Sequence, residues 1–164
     1  MWTVIIQVVV GVAVVGGLLA LGLAAAFRTR FRPVQDRIRR LNRAATNPRV
    51  LATAGQPGAS ASVVHHVGRT SGTAYRTPVA AMPIEDGFVI ALPYGPNADW
   101  VKNVLASGSA TIEHEGETVQ VERREIVSRR DANGLFPAKD QLVHSIFGVD
   151  DFLLLRRAGG ASTR

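Results

Sequence analysis

Cysteine is absent from this chain of 164 residues, and the absence excludes several kinds of protein at once. Without a thiol there is no disulfide scaffold, no thiolate metal site and no cysteine nucleophile. Histidine is scarce too, with four in the chain, and no pair has metal-ligand spacing on a predicted helix. His65 and His66 are adjacent on a predicted strand, so their side chains point to opposite faces. We therefore predict no metal site.

Three common catalytic signatures are also missing. No Gly-Lys-Ser or Gly-Lys-Thr opens a helix as in a P-loop. No Gly-x-Ser-x-Gly places a serine at a strand-to-helix turn, and no carboxylate pair is arranged for glycoside hydrolysis. Hydrophobic residues make up 46% of the chain, which excludes a disordered protein, and the length suits one ordinary domain with extra segments.

The positive charge is confined to one short segment. The net charge is +6, and residues 28–43, with seven arginines and one aspartate, account for all of it. The rest of the chain carries 12 basic and 12 acidic residues and is neutral. Nucleic-acid-binding domains carry a basic surface on the folded part, so the sequence predicts no nucleic-acid partner.

The N-terminal segment, residues 1–27, has the longest apolar run. Between positions 3 and 26 only Thr3 and Gln7 are strongly polar, and a helix of that length reaches ~36 Å, enough to cross a hydrocarbon core of about 30 Å. The start has no positive residue and the run is long for a signal peptide, so we predict a retained single-pass anchor. The arginines that follow predict a domain at the cell membrane, facing the cytoplasm.

Residues 28–58 are predicted to be a basic juxtamembrane helix and a linker. From Pro33 to Thr46, Val34, Ile38, Leu41 and Ala45 share one helical face and arginines cover the others. Such a helix lies on anionic headgroups, or it packs on the domain with its arginines solvated, and both readings stay open. The small, turn-prone residues 52–60 mark the boundary to the domain, residues 59–164.

The domain has the pattern of an α+β protein with about six antiparallel strands. Strands are predicted at 62–67, 73–82, 88–92, 110–114, 118–127 and 149–157, several joined by short turns. Helices are predicted at 98–106 and from Ser128 onward. A small barrel with packed helices fits this order best. His144 and Asp140 are expected to be ordinary surface residues.

Two turns have the composition of anion sites. Gly68-Arg-Thr-Ser-Gly72 brackets a cation and two hydroxyls with glycines, which expose backbone N–H groups. The second turn, residues 93–99, opens the helix at 98–106, where free N–H groups attract phosphate and Asn97 or Asp99 provides a cap. Arg76 points toward Arg69 or away from it, Trp100 is core or a flat wall, and Lys102 is solvated or a phosphate partner.

The order of these motifs resembles the deazaflavin (F420)-dependent nitroreductase family. The residues that carry the resemblance are Gly68-Arg-Thr-Ser-Gly72, Arg76-Thr-Pro78 and the helix Asp99-Trp-Val-Lys-Asn103, and it spans about residues 62–127. It implies an FMN-binding-like split β-barrel that holds coenzyme F420. Where the family loop often reads Ser-Lys-Gly-Gly, this chain has Pro93-Tyr-Gly-Pro96, shorter and without lysine.

The resemblance also implies site residues. One side of the cofactor, with its phosphate and polyglutamate tail, would contact Arg69, Thr70, Ser71, Gly72, Thr73 and Arg76. The other side would contact Pro93, Tyr94, Gly95, Asp99, Trp100, Val101, Lys102 and Asn103. The backbone of Val63, Val64 and His65 would lie beside the deazaflavin ring. Tyr75 and Tyr94 are the candidate catalytic proton donors, with Ser71, His65 or water as further sources.

The function implied is hydride transfer from reduced F420 to a small lipophilic acceptor such as a quinone or a nitro compound. Three alternatives remain open at this point: the same barrel with FMN or a tetrapyrrole, a membrane-tethered module that binds F420 or lipid without turnover, and polyanion binding through the arginine segment. The helix after Ser128 lacks the pocket tyrosines of some family members, which keeps the second alternative open. Split barrels often pair, so a homodimer is a further expectation.

Overall fold

The computed structural model describes residues 2–29, 31–42 and 46–159. Among these residues, three helices precede the first strand, a fourth connects the fourth and fifth strands, and two follow the hairpin of the fifth and sixth strands. In chain order the elements are α1 (Trp2–Arg28), α2 (Arg32–Leu41), α3 (Asn47–Leu51), β1 (Ser62–Val67), β2 (Ala74–Val79), β3 (Ala81–Ile84), β4 (Gly87–Ala91), α4 (Asp99–Ser107), β5 (Ser109–His114), β6 (Glu117–Ser128), α5 (Arg129–Ala132), a 3₁₀ turn (Asn133–Leu135), α6 (Ala138–Phe147) and β7 (Asp151–Arg157).

Within the described residues the strands form one seven-stranded antiparallel sheet in the order β2-β1-β5-β6-β7-β4-β3. The antiparallel α+β class is confirmed, and the sheet with its packed helices fits a split barrel. The prediction of one strand over 73–82 was wrong, because Ala80 separates two strands. β2 pairs with β1 and β3 pairs with β4, at opposite edges of the sheet. Since one residue links these edges, the sheet must curl until they meet.

The two prolines of this segment suit its edge positions. Pro78 lies in β2 opposite Val63, and Pro83 lies in β3 opposite Phe88. Proline lacks the N–H that a second neighbouring strand would need, and an edge strand has only one neighbour. Proline chemistry therefore keeps these two segments at the rims of the sheet.

The central strands are buried on both faces. Along β4, Phe88 and Ile90 belong to one core and Val89 to another, and along β7 Leu153 and Phe152 alternate in the same way. α4 packs on the first core, and residues of α5 and α6 cover the second. This double cover explains why β4 and β7 read as continuous apolar runs rather than as alternating ones.

The β5–β6 hairpin follows the sequence closely. The turn between the strands uses Glu115 at φ +50° and Gly116 at φ +81°. Two consecutive residues with positive φ give a turn whose twist matches that of the flanking strands, and glycine adopts the positive φ of the second position without steric strain. β6 then continues past its partner and has a register irregularity between Glu122 and Glu125, which allows the long strand to bend.

Helix α1 contains the predicted membrane anchor and docks on the domain by its last turn. Phe27 is buried, its ring lies 6.0 Å from that of Phe147, and Arg28 Nη1 donates to the carbonyl of Ser145 at 2.9 Å. Within the described part of the chain, no single helix has the length and apolar character of a membrane span. Val12–Arg28 and Pro33–Leu41, bent by 107°, meet those criteria only as a pair.

Three local predictions need correction. Helix α2 is described from Arg32 to Leu41; among its described side chains the buried one is Gln35, whereas Leu41 of the predicted apolar face is exposed and Ala45 lies outside the described residues. α3 was not predicted. His144 is not an ordinary surface residue, because its ring packs edge-on against Phe136 at 4.8 Å and Phe152 at 5.1 Å.

Candidate functional site

A cavity of about 680 Å³ lies where the β1–β2 turn, the start of α4 and helix α2 meet. Its size is that of a pocket for a small molecule or cofactor. The lining combines three arginines, one aspartate, three asparagines and three large aromatic side chains. The residues are Arg39, Asn42, Asn47, His66, Gly68, Arg69, Thr70, Ser71, Tyr75, Arg76, Thr77, Pro78, Tyr94, Ala98, Asp99, Trp100 and Asn103.

The β1–β2 turn, residues 68–73, is shaped by its two glycines. The N–H of Gly68 donates to the carbonyl of Thr73 at 2.8 Å, and the N–H of Gly72 donates to the carbonyl of Gly68 at 2.8 Å. Gly72 has φ +67°, and a Cβ on Gly68 would lie 2.5 Å from Ser71 Oγ. Side chains at either position would disturb the turn, which explains why glycine brackets the Arg-Thr-Ser triplet.

Arg69 joins the two predicted anion turns directly. Its backbone N–H donates to Asn103 Oδ1 at 3.2 Å and its Nη1 donates to the same oxygen at 2.9 Å. Its Nη2 lies 3.3 Å from Asp99 Oδ1. Neither Asn97 nor Asp99 caps α4 as predicted, because Ala98 occupies the N-cap position without a side-chain bond. The Asp99 carboxylate instead pairs with Arg69 across the cavity edge.

A buried chain of polar groups runs from Arg69 to β2. Because Asn103 Oδ1 faces the Arg69 donors, its Nδ2 faces His66 Nδ1 at 3.2 Å. The imidazole must then accept at Nδ1 and donate from Nε2, which lies 3.0 Å from Thr77 Oγ1. Burial, and secondarily the nearby His65, lowers the pKa of His66, so this ring is neutral at physiological pH.

Aromatic side chains line the same cavity. Tyr75 stacks on His66 with ring centroids 5.6 Å apart and an interplanar angle of 21°, and it remains 46% exposed. Trp100 packs against the first core, the one covered by α4, and also lines the cavity, so its two predicted roles coexist. Flat rings beside polar donors are typical of sites that hold a planar ligand.

Tyr94 is held between the domain and α2. Asn42 Nδ2 donates to the Tyr94 hydroxyl oxygen at 3.0 Å, and Arg39 Nη2 donates to the Tyr94 carbonyl at 3.2 Å. Burial raises the pKa of Tyr94, outweighing the Asn42 hydrogen bond and the Arg39 charge, both of which lower it. The phenol therefore keeps its proton at neutral pH and can donate it.

The structure brings together nine of the predicted site residues at this cavity: Arg69, Thr70, Ser71, Tyr75, Arg76, Tyr94, Asp99, Trp100 and Asn103. The others do not line it. Val63, Val64 and Val101 are fully buried in the core, and His65 Nε2 lies 2.8 Å from Glu113 Oε1 on the other face of β1. Gly72, Thr73, Pro93, Gly95 and Lys102 are also outside the lining.

The sequence analysis missed two groups of cavity residues: one residue of the β1–β2 hairpin and three residues of the N-terminal helices. His66 could have been found, because the hairpin register that follows from the 68–73 turn pairs it with Tyr75 and thus places both on one face. Arg39, Asn42 and Asn47 left no such signal. They are far from the turns in the chain and reach the cavity only through the packing of the N-terminal helices.

No protein-family model and no curated protein matches the sequence. Similar solved structures include an F420 reductase at 10% identity and TM-score 0.42, with 66% of this chain and 92% of that chain covered. They also include HutZ, described as the heme storage protein of Vibrio cholerae, at 11% identity and TM-score 0.43, with 62% of this chain and 83% of that chain covered. A third is a protein from Clostridium acetobutylicum that is related to general stress protein 26 and described as of the pyridoxinephosphate oxidase family. Its identity is 10% and its TM-score 0.43, with 68% of this chain and 80% of that chain covered.

These similar structures include the kind of protein that the sequence motifs resemble. Their identity to this chain is low and their TM-scores are below 0.5. The residues that this chain places at the cavity are therefore the basis for its function.

Proposed function

We propose that this chain is an oxidoreductase that binds coenzyme F420 in the cavity and serves hydride transfer to a lipophilic acceptor, such as a quinone or a nitro compound. The observation that carries the proposal is that the 68–73 turn and the start of α4 meet at one cavity. These are the two segments whose motifs resemble the F420-dependent family. Arg69 bonds directly to both Asp99 and Asn103 of α4.

The charges and surfaces of the cavity fit this cofactor. The lining holds three arginines, Arg39, Arg69 and Arg76, and one carboxylate, that of Asp99. Arg76 also pairs with Glu113 outside the lining, and the remaining excess of positive charge suits a phosphate and a glutamate tail. A neutral His66 adds no charge to the site. Trp100 and Tyr75 provide flat walls for a ring. A single anionic ligand suits this arrangement better than a polymer, because the chain outside residues 28–43 has no net charge.

The role of the protein in such a reaction is mainly one of position. A bound reduced deazaflavin supplies a hydride, and the transfer needs reactants held about 3–3.5 Å apart with water excluded. Arg69, Ser71 and Arg76 would hold the anionic groups, and Trp100 would orient the ring. Tyr94 keeps its phenolic proton at neutral pH, and Tyr75 places a second hydroxyl at the cavity, so either can donate to the reduced acceptor.

A membrane anchor formed by α1, with the domain in the cytoplasm, is part of the proposal. Large apolar side chains of α1 are 54–69% exposed and need a cover: Val12, Val14, Val15, Leu18, Leu19 and Leu21. Arginines follow the helix on the side that the positive-inside rule assigns to the cytoplasm. A tether of this kind would hold the cavity close to lipophilic acceptors.

The test uses the full chain in detergent micelles with reduced F420 and a menaquinone analogue. We expect the cofactor to be oxidised only when protein and acceptor are both present, and the absorbance of the cofactor measures this oxidation. Tight F420 binding with no acceptor reduced across a broad panel would instead indicate a non-catalytic binding module, and a preference for FMN would reassign the cofactor. Absence of binding to either cofactor would refute the proposal.

A matched pair of variants tests the location of the site. R69Q removes a cation that lines the cavity, whereas K102Q removes one from α4 that does not. We expect R69Q to weaken F420 binding by about ten- to a hundredfold, the size of a charge-assisted hydrogen bond, and K102Q to leave it near wild type. Y94F and Y75F then separate the proton donors, because loss of the donor lowers kcat more than it raises KM.

A further inference from the structure

Helix α2 presents one face to the domain and another to solvent. Gln35 is buried, and Ile38 and Arg39 are half-buried, whereas Arg37 and Arg40 are exposed. The arginine-rich segment is therefore not uniform. One of its arginines lines the cavity, and its neighbours on the helix do not.

Arg39 makes specific contacts at the cavity. Its Nη2 donates to the Tyr94 carbonyl at 3.2 Å, and its guanidinium lies 5.3 Å from the centre of the Tyr94 ring. Its Nε is fully buried and has no hydrogen-bond partner among the described residues. A buried N–H of a charged group without an acceptor is costly, so the protein itself leaves the Arg39 guanidinium only partly satisfied, and an anion in the cavity beside it would be stabilised.

Arg39 is also the least neutralised of the three cations that line the cavity. Arg69 has the Asp99 carboxylate at 3.3 Å and Asn103 Oδ1 at 2.9 Å, and Arg76 has the Glu113 carboxylate at 3.4 Å. The carboxylate nearest Arg39 is that of Asp36, on the same helix, at 3.7 Å and largely exposed. A pair of that length with a largely exposed carboxylate contributes little, so most of the positive charge of Arg39 remains uncompensated at the cavity.

We propose that α2 is a wall of the binding site and that Arg39 binds an anionic group, a phosphate or carboxylate, of the cofactor. The inference rests on the proposed function, since it names a further ligand of the same site. The N-terminal segment would then have two roles, because the helix that follows the apolar α1 also completes the cavity. The anionic part of the cofactor would lie between α2 and the 68–73 turn.

The test compares two variants of the full chain, R39Q and R40Q. Both remove one charge from the same helix, but Arg40 is exposed and outside the cavity lining. Glutamine keeps an N–H₂ group that can still donate to the Tyr94 carbonyl. In a W2F background Trp100 is the only tryptophan, so its fluorescence reports ligand binding. The ligands are F420 and its deazariboflavin core, which lacks the phosphate and the tail.

We expect R39Q to bind F420 about ten- to a hundredfold more weakly than R40Q and to bind the deazariboflavin core within twofold of it. A merely structural role would weaken both ligands alike, and that result would overturn the proposal. Equal F420 affinity of R39Q and R40Q, with wild-type binding intact, would overturn it while leaving the proposed function in place. No binding of F420 by the wild type would overturn both.

A third arm titrates a soluble short-chain phosphatidylglycerol, because a lipid headgroup carries the same phosphate chemistry. If R39Q weakens lipid binding and leaves F420 binding unchanged, Arg39 serves the membrane and the proposal is overturned. Weak lipid binding that is equal in R39Q and R40Q supports the cofactor as the source of the anion. Thermal unfolding of both variants checks that each is folded.

Discussion

Replacing Asn103 by aspartate should reverse the charge preference of the buried His66. In the native protein the Asn103 Oδ1 is committed to the two Arg69 donors, which leaves an N–H₂ group 3.2 Å from His66 Nδ1. That donor stabilises a neutral ring, and burial lowers the pKa of His66 further. Asn103→Asp puts a carboxylate oxygen where the donor was, so the ring gains from carrying a proton on Nδ1.

The size of the effect follows from the distance. An opposite charge within about 4–6 Å typically moves a pKa by 1 to 3, and each unit corresponds to ~1.36 kcal/mol. We therefore expect the pKa of His66 in the variant to lie about 1 to 3 above its native value. Arg69 competes for the same carboxylate and holds the increase toward the lower end of that range.

The assay is an NMR titration of the histidine Cε1 protons. The chain has four histidines, and H66Q identifies the signal of His66. His144, packed between Phe136 and Phe152 far from the substitution in the chain, serves as the internal control and should titrate as in the native protein. An unchanged or lower pKa of His66 in N103D would refute the tautomer and amide orientation deduced here.

Two further predictions concern the turn and the pH dependence of stability. G68A should lower the melting temperature and weaken F420 binding, because its Cβ would lie 2.5 Å from Ser71 Oγ and 2.9 Å from Tyr75 Cε2; a thermal melt with a ligand titration checks both, and native-like values would contradict the steric argument. Burial lowers the folded-state pKa of His66 and of His144 below 6.5. The unfolded chain then binds more protons below pH 6.5, so the free energy of unfolding should fall from pH 7.5 to 5.5. H144L should show a smaller fall in urea titrations, and an equal fall would exclude a contribution from His144.

Much of the fold was predictable because the signals were local. The Glu115-Gly116 turn, the 68–73 turn and the helix at 99–107 depend on neighbours in the chain, and each lies within two residues of its predicted place. The break at Ala80 was not predictable from the same signals. It exists because β2 and β3 pair with different strands at opposite edges, and no property of residues 73–82 alone states which partners they have.

The candidate site shows the same division. The resemblance of the 68–72 turn and of the helix at 99–103 to the F420-dependent family predicted that Arg69, Ser71, Asp99 and Asn103 share one site. The orientation of the Asn103 amide, and with it the protonation state of His66, depends on contacts between residues separated by more than thirty positions.

The sequence by itself determined the apolar N-terminal segment, the two glycine-containing turns and the antiparallel strands, since periodicity and backbone preferences act over a few residues. Only the tertiary structure decided that helix α2 brings Arg39 and Asn42 to Tyr94, and that His66 rather than His65 faces the cavity. The physical reason is that packing selects one face of each helix and strand from several that the sequence allows, and that choice depends on distant partners.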